Sequence, residues 1–281
     1  MVFLGHRSRK RFGQHWLIDP KVLDQILVEA DLQPQDRVLE VGPGRGALTE
    51  RLLNSPAAAV HAIELDRDLV DGLYKRFLFE KSRFTLQQGD VLSVSLIPPD
   101  GLASTKVVAN IPYNITGPLL ERLLGRLGKP GEISFRKLVL LLQKEVAERI
   151  LAKPGQSHFS ALSVRLQLMA NCRKVCLVPP RCFQPPPKVT SEVISIEPFP
   201  SEKQIEPVLA THLDGLLRRA FMGRRKMLRN SLNGFCSHVV LESVAGSVGI
   251  NLNKRPQELS PELWLAFSNG LVRAGQIDQK Q

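Results

Sequence analysis

No apolar run in the chain approaches the length needed to cross a bilayer, which excludes a membrane-spanning helix. The opening stretch, MVFLGHRSRKRFGQHW, lacks the apolar core of a secretory signal. It is rich in arginine and free of acid, a composition shared by transit peptides and nucleic-acid arms. We read it as a basic arm on a cytoplasmic protein. Cysteine is scarce as well, with four in 281 residues. Cys172 and Cys176 share the strand-like run ANCRKVCLVP, where a four-residue offset at ~3.3 Å per residue separates them by roughly 13 Å. That is too far to share one zinc, and Cys182 and Cys236 add no paired C-x-x-C, so reduced thiols and no metal are expected. Acid is in deficit: 27 Asp and Glu face 38 Lys and Arg, for a formal charge of +11 and a pI near 9.8. A surplus of that size attracts phosphate and repels itself when no anion is present. Nucleic acid, not a membrane, is the expected partner.

What is present is mostly regular structure. From about residue 20 to 198, short apolar runs (DRVLEVGPG, AVHAIELD, FTLQQGDV, KVVANIPY, KLVLLLQK) alternate with helical patterns (ALTERLLN, RDLVDGLYKRFL, PLLERLLGRL, KEVAERILA). That alternation predicts an α/β fold with a doubly wound, mostly parallel sheet. RKVCLVP and SEVISIEPF are joined by PPRCFQPPPKVT, too short for a helical crossover, and are expected as an antiparallel pair at one edge. Beyond residue 205 strand patterns stop. IEPVLATHLDGLLRRAF, RRKMLRNSLNGF, SHVVLESVAGSVG and SPELWLAFSNGLV read as helices, the last capped by Ser260 and Pro261, and AGQIDQKQ reads as a frayed tail. The division expected is a catalytic domain over 1–200 with its basic arm, then a small all-α domain over 201–281.

One glycine loop lies between a strand and a helix. VLEVGPGRGALTERL places Gly42, Gly44 and Gly46 where absent Cβ atoms let a ligand approach the backbone and a helix N-terminus. Gly42, Gly44 and Ala47 also fit the dinucleotide fingerprint, so NAD binding and a plain tight turn both stay open on this stretch alone. Glu64 follows about 20 residues later at the end of the next strand, where a carboxylate accepts from both ribose hydroxyls. Asp90 ends the third strand in QQGDVL, placed either to accept from an adenine amine or to cap the next segment.

The fourth strand ends in Asn110-Ile111-Pro112-Tyr113. In open α/β sheets ligands sit outside the carboxyl ends of the strands. Pro112 holds Ile111 extended and fixes the direction of the chain, so Asn110 and Tyr113 stand on a stiff turn. An exocyclic adenine amine is a poor nucleophile because its lone pair is delocalised into the ring. Accepting its two hydrogens, at the Asn110 side-chain oxygen and the Pro112 carbonyl, favours a pyramidal nitrogen aimed at an electrophilic methyl group. Tyr113 can stack on the base.

With these blocks the sequence resembles the ribosomal RNA small-subunit adenine N6-dimethyltransferases. RKRFGQHWLID, EVGPGRGALT, AIELD, QGDVL, NIPYNI, QKEVAER, FQPPPKVTSEV and AFMGRRKMLRNSL occur in family order along nearly the whole chain. The resemblance implies a class I methyltransferase, Rossmann-like, that uses S-adenosylmethionine. Its activity would be dimethylation at N6 of two adjacent adenosines near the 3′ end of small-subunit rRNA, within a pre-ribosomal particle, as a monomer. It also implies that His15, Leu17, Gly42, Glu64, Asp90 and Asn110 line the donor site, with Gly44 in the same loop, and that Phe183 is a second aromatic wall for the base beside Tyr113. His15 stands where many relatives carry Asn. Two siblings compete: a large-subunit adenine methyltransferase of the antibiotic-resistance type, and a non-catalytic ribosome-assembly factor. The block RRKMLRNSL argues against the first, and the intact Asn110, Tyr113 and acidic pair argue against the second. Arg224, Arg225, Lys226 and Arg229, in an acid-free stretch, are the expected RNA phosphate contacts.

Overall fold

The computed structural model describes residues 14–278; the basic arm and the last three residues lie outside the described residues. The chain divides into two compact units. One comprises Met1–Gly125, Pro130–Ala147 and Cys172–Pro198, the other Arg126–Lys129, Glu148–Asn171 and Phe199–Gln281. The division is therefore not one cut near residue 200, because Glu148–Asn171 clusters with the C-terminal helices.

The first unit is built on one sheet of seven strands: β1 (Arg37–Val41), β2 (Ala59–Glu64), β3 (Phe84–Gln88), β4 (Lys106–Asn110), β5 (Lys137–Gln143), β6 (Ala170–Val178) and β7 (Ser191–Pro198). Their order is β3-β2-β1-β4-β5-β7-β6. The first five strands in that order run parallel, and β7 runs antiparallel to β5. β6 and β7 are neighbours at one edge, where their short connection predicts them. Strands such as KLVLLLQ are almost wholly apolar because helices cover both faces of a parallel sheet and leave no wet side to alternate with. The helices of this unit are α1 (Pro20–Ala30), α2 (Ala47–Leu53), α3 (Arg67–Arg76), α4 (Thr116–Leu124) and α5 (Lys144–Leu151), the last crossing into the second unit. α1 is absent from the pattern read in the sequence. It starts at Asp19, whose carboxylate accepts the Lys21 and Val22 N–H groups, with Pro20 in the first turn. It buries Val22, Leu23, Ile26 and Ala30 in the main core.

Strand order reverses between β1 and β4, which creates a crevice at the carboxyl ends of the strands. The opposite ends are tied by Asp36, which is fully buried and lies 2.8 Å from Lys106 Nζ and 2.6 Å from Arg136 Nη2, with Thr105 Oγ1 donating at 3.0 Å. Burial pushes this carboxyl up, but Lys106, the Gln33 N–H and Thr105 more than offset it and hold it below the usual carboxylate range.

The second unit is helical, with α6 (Ala161–Met169), α7 (Pro207–Met222), α8 (Leu228–Ser231), α9 (His238–Ser247) and α10 (Pro261–Asp278). Phe159, Leu213, Leu217, Leu232, Trp264 and Phe267 are fully buried at its centre. Two details differ from the expected pattern. RRKMLRNSLNGF is helical only over Leu228–Ser231, because α7 stops at Gly223 and the Leu228 and Arg229 N–H groups bond to the Lys254 and Leu252 carbonyls instead of to a preceding turn. The stretch expected to fray continues α10 as far as Asp278.

Candidate active site

The carboxyl ends of β1 to β4 open onto a cavity of about 340 Å³. That volume lies at the small end of the range for cofactor and small-molecule sites, ~300 to 1,000 Å³. Each of the four strands delivers an expected residue to its wall: Gly42 and Gly44 after β1, Glu64 at the end of β2, Asp90 after β3, and Asn110, Pro112 and Tyr113 at the end of β4. His15 lines the same cavity from the segment before α1.

The glycine loop is tight for a definite reason. Gly44 has φ +60°, and a Cβ there would meet Trp16 Cδ1 at 2.7 Å, so only glycine lets the indole lie on the loop. Arg45 stacks its guanidinium 3.9 Å from the Trp16 ring centroid. Glu64, 6% exposed, accepts the Gly44 N–H at Oε2 (3.0 Å) and the Asp66 N–H at Oε1 (2.8 Å). Each oxygen keeps a second lone pair for a ligand hydroxyl. Burial raises the Glu64 pKa, against those two backbone donors. Asp90 is exposed in the turn after β3, where its Oδ1 accepts the Leu92 N–H at 2.9 Å. The capping role is thus real, and it leaves Oδ2 as an acceptor.

The acceptor side is equally fixed. Asn110 donates from Nδ2 to the His15 carbonyl at 3.0 Å, which orients the amide and leaves Oδ1 as an acceptor. The Pro112 carbonyl takes the Ile115 N–H at 3.1 Å and retains one lone pair. The Tyr113 hydroxyl is 2.5 Å from Ser191 Oγ, and burial raises its pKa against the lowering effect of that hydrogen bond, so the phenol stays protonated.

Two expected site residues are not brought to the cavity. Phe183 and Leu17 pair across a two-residue antiparallel ladder, Trp16↔Gln184 and Leu17↔Phe183. Both are buried, at 3% and 5% exposure, and belong to the hydrophobic core. Phe183 therefore packs into the core in this structure and does not line the cavity, since so large an apolar ring gains most from burial. Sequence reasoning also passed over residues that matter here. Trp16 and Gln14 line the cavity, and Gln14 donates to Asp66 at 2.8 Å. Ser191 steadies Tyr113. The first two lie within the block RKRFGQHWLID, and only the fold reveals that this segment returns to the glycine loop.

Glu40 on β1 is 1% exposed, and burial pushes its carboxyl up to about 8, with the charge of Glu64 adding in the same direction. At neutral pH it carries its proton. The folded state then holds a proton that the unfolded chain releases near the ordinary value of 4.5, so stability declines as pH rises from about 4.5 to 8. Glu40→Gln is expected to flatten that decline, read as the melting temperature across this pH range. An unchanged slope would show that Glu40 is ionised in the native protein.

The four cations expected to meet RNA lie in the second unit. Arg224, Arg225 and Lys226 occupy the turn after α7, and Arg229 lies on α8; the last three are exposed and Arg224 is half-buried. Among the described residues none of the four has an ion-pair partner, whereas Arg218 is paired with Asp214 and Arg219 donates to the Asn233 carbonyl at 2.7 Å. None of the four cysteines is in a disulfide, and burial pushes the Cys172 thiol up to about 12. Among the described residues no helix is long and apolar enough to cross a membrane.

Strand order and the residues at its switch point define a class I methyltransferase fold. The crystal structure of a dimethyladenosine transferase from Plasmodium falciparum is similar, at a TM-score of 0.76 and 28% identity, over 93% of this chain and 98% of that one. The 23S rRNA methyltransferase ErmE shares the fold at a TM-score of 0.73 and 24% identity, over 92% and 99%. The family described as Ribosomal RNA adenine dimethylase matches residues 5–272. The Ribosomal RNA small subunit methyltransferase A of Prochlorococcus marinus (strain MIT 9313) is 64% identical over 278 residues, covering 99% of both chains. The chain belongs to the ribosomal RNA adenine dimethylase family, and it is an rRNA adenine dimethyltransferase.

Proposed function

We propose that this enzyme uses S-adenosylmethionine to methylate N6 of two adjacent adenosines near the 3′ end of small-subunit rRNA, giving dimethyladenosines. The rRNA lies within a pre-ribosomal particle, and the enzyme is a cytoplasmic monomer. One observation carries the reading: a stiff turn bearing Asn110, Pro112 and Tyr113 lines one cavity together with a glycine loop and the carboxylates of Glu64 and Asp90. The small-subunit choice rests on the 64% identical relative, since the likeness to ErmE speaks for the fold alone.

The residues present fit the donor. Gly42 and Gly44 present only backbone to the cavity, the spare lone pairs of Glu64 suit the ribose hydroxyls, and Asp90 Oδ2 suits the adenine amine. When bound, S-adenosylmethionine supplies a methyl group on a sulfonium, whose transfer is downhill. The protein's task is alignment, which supplies most of the rate in such a step. Asn110 Oδ1 and the Pro112 carbonyl accept the two hydrogens of the target amine, and Tyr113 holds the base by one face. The proton leaves to water after attack.

Titration with S-adenosylmethionine and with NAD, followed by methyl incorporation into purified small-subunit particles and naked rRNA, tests the proposal. Mass spectrometry of the digested rRNA should find N6,N6-dimethyladenosine, and sedimentation should give a monomer. Glu64→Gln and Asp90→Ala should each weaken donor affinity about tenfold, the loss of one hydrogen bond to a charged group. Wild-type affinity in both variants would remove the donor from this cavity.

A further inference from the structure

Two acceptors at the target amine do not by themselves choose between bases. Asn110 Oδ1 and the Pro112 carbonyl would take the two hydrogens of a cytosine amine as readily as those of adenine, because both amines stand beside a ring nitrogen acceptor. Guanine fails there, since it presents an oxygen in the amine's place. On its other side the adenine amine has a second neighbour, N7, where cytosine has only a C–H. A hydrogen-bond donor aimed at that atom tells the two apart.

Asn114 is placed to supply the donor. It lines the cavity together with Asn110, Pro112 and Tyr113 and is exposed. It sits in the middle of the 3₁₀ turn Tyr113–Ile115, and the turn is held without it: the Ile115 N–H bonds to the Pro112 carbonyl at 3.1 Å, and Thr116 Oγ1 to the Tyr113 carbonyl at 3.3 Å. Asparagine in a turn usually bonds to nearby backbone. Among the described residues this side chain has no hydrogen-bond partner, whereas the other two amides of the cavity, Gln14 and Asn110, donate to Asp66 and to the His15 carbonyl. With three residues per turn, successive side chains in such a turn point about 120° apart. A base stacked on the Tyr113 ring can therefore present its edge to Asn114.

We infer that Asn114 is a specificity-determining contact, its side-chain N–H donating to N7 of the target adenine. The inference rests on the proposed function for the reaction and the base, and it adds the group that reads the purine edge.

The test replaces one atom on each side of the contact. Small-subunit particles are reconstituted on rRNA joined to a synthetic 3′ segment that carries adenosine or 7-deazaadenosine at both target positions. The second keeps the amine and exchanges N7 for a C–H. On adenosine particles Asn114→Ala should lower kcat/KM about threefold to tenfold, the size of one hydrogen bond, and leave affinity for S-adenosylmethionine within about twofold of wild type. When 7-deazaadenosine replaces adenosine, the wild type should lose about that factor more than Asn114→Ala does, because the variant has no bond left to lose. Comparing the two enzymes cancels whatever the ring change does to the amine itself. Asn114→Asp suits the turn equally well but offers only an acceptor, so it should fall at least as far as alanine. Both variants should keep the wild-type melting temperature, since an exposed side chain without a partner is changed.

Equal losses on 7-deazaadenosine in wild type and Asn114→Ala, or wild-type kcat/KM in Asn114→Asp, would overturn the inference and leave a solvated turn residue. Donor affinity that falls in step with activity would overturn it in favour of a contact to S-adenosylmethionine. If the wild-type enzyme leaves adenosine particles unmethylated, the proposed function itself fails and this inference falls with it.

Discussion

Asn110→Ala is expected to slow methyl transfer by about 10² to 10³-fold, the usual cost of removing one preorganised polar group from a transition state. Particle binding should be almost unchanged, because the role proposed for the amide is on the amine at the moment of attack. Among the described residues the amide bonds from Nδ2 to the His15 carbonyl at 3.0 Å, so some disturbance of the neighbouring segment comes with the change. Asn110→Asp separates the two effects. It restores an oxygen toward the amine but sets a charged oxygen against the His15 carbonyl, where a donor is needed. It should therefore recover little activity despite being a nearly isosteric acceptor. Single-turnover transfer with saturating donor, measured beside particle affinity, gives both numbers. Transfer at the wild-type rate in Asn110→Ala would sink the assignment of this turn to the amine.

The parts of the molecule that positioned Asn110 were the easiest to read. Four of the five parallel strands read as largely apolar runs because the parallel sheet is covered on both faces, Phe84–Gln88 at its edge being the alternating exception, and all five end on, or run into, a polar or glycine residue. Glu64 and Asn110 are such endings. Elsewhere local pattern and tertiary structure disagree. Leu162, Val164, Leu166 and Leu168 alternate with Ser163, Arg165 and Gln167, the period of a half-buried strand, yet Ala161–Met169 is a helix. It starts where Ser163 Oγ accepts the Ser160 N–H, and Leu166 and Val164 then pack into the core, so capping and burial outweigh the alternation.

The setting of Phe183 was hidden for the opposite reason. The family resemblance supplied a role, and nothing local in RCFQPPPKV showed that residues 183 and 184 would pair with 16 and 17 some 166 positions earlier and draw the ring into the core. The same long-range pairing brings His15 and Trp16 to the cavity. Such contacts depend on the closed fold, and periodicity within a short window cannot register them. The stretch RRKMLRNSLNGF, expected as a helix, is interrupted after Gly223, where a backbone carbonyl network, not side-chain spacing, decides the path.

That turn gives the second large effect. With Arg218 held by Asp214 and Arg219 by the Asn233 carbonyl, the cations left for a phosphate backbone are Arg224, Arg225, Lys226 and Arg229. A solvated basic face is the plain alternative, since exposed charges on a protein of net charge +11 need no partner. The two readings differ in their response to salt. If Arg224, Arg225 and Lys226 each neutralise one phosphate, replacing all three with alanine removes about 0.7 to 0.9 per contact from the log-log salt slope, or roughly 2 to 3 in total. At ~0.1 M salt the same relation makes each contact worth about 0.8 of a log unit, so particle affinity should drop about 10²-fold. Donor affinity should not move, because these side chains lie in the helical unit and the residues proposed to hold the donor in the other. Because none of the three has an ion-pair partner among the described residues, the triple variant leaves no acid uncompensated and should keep its melting temperature close to that of the wild type. Particle affinity measured from low to high salt for both proteins decides between the readings. Parallel lines at equal affinity would leave only a solvated face, whereas a shallower line converging on the wild type at high salt is the signature of lost phosphate contacts.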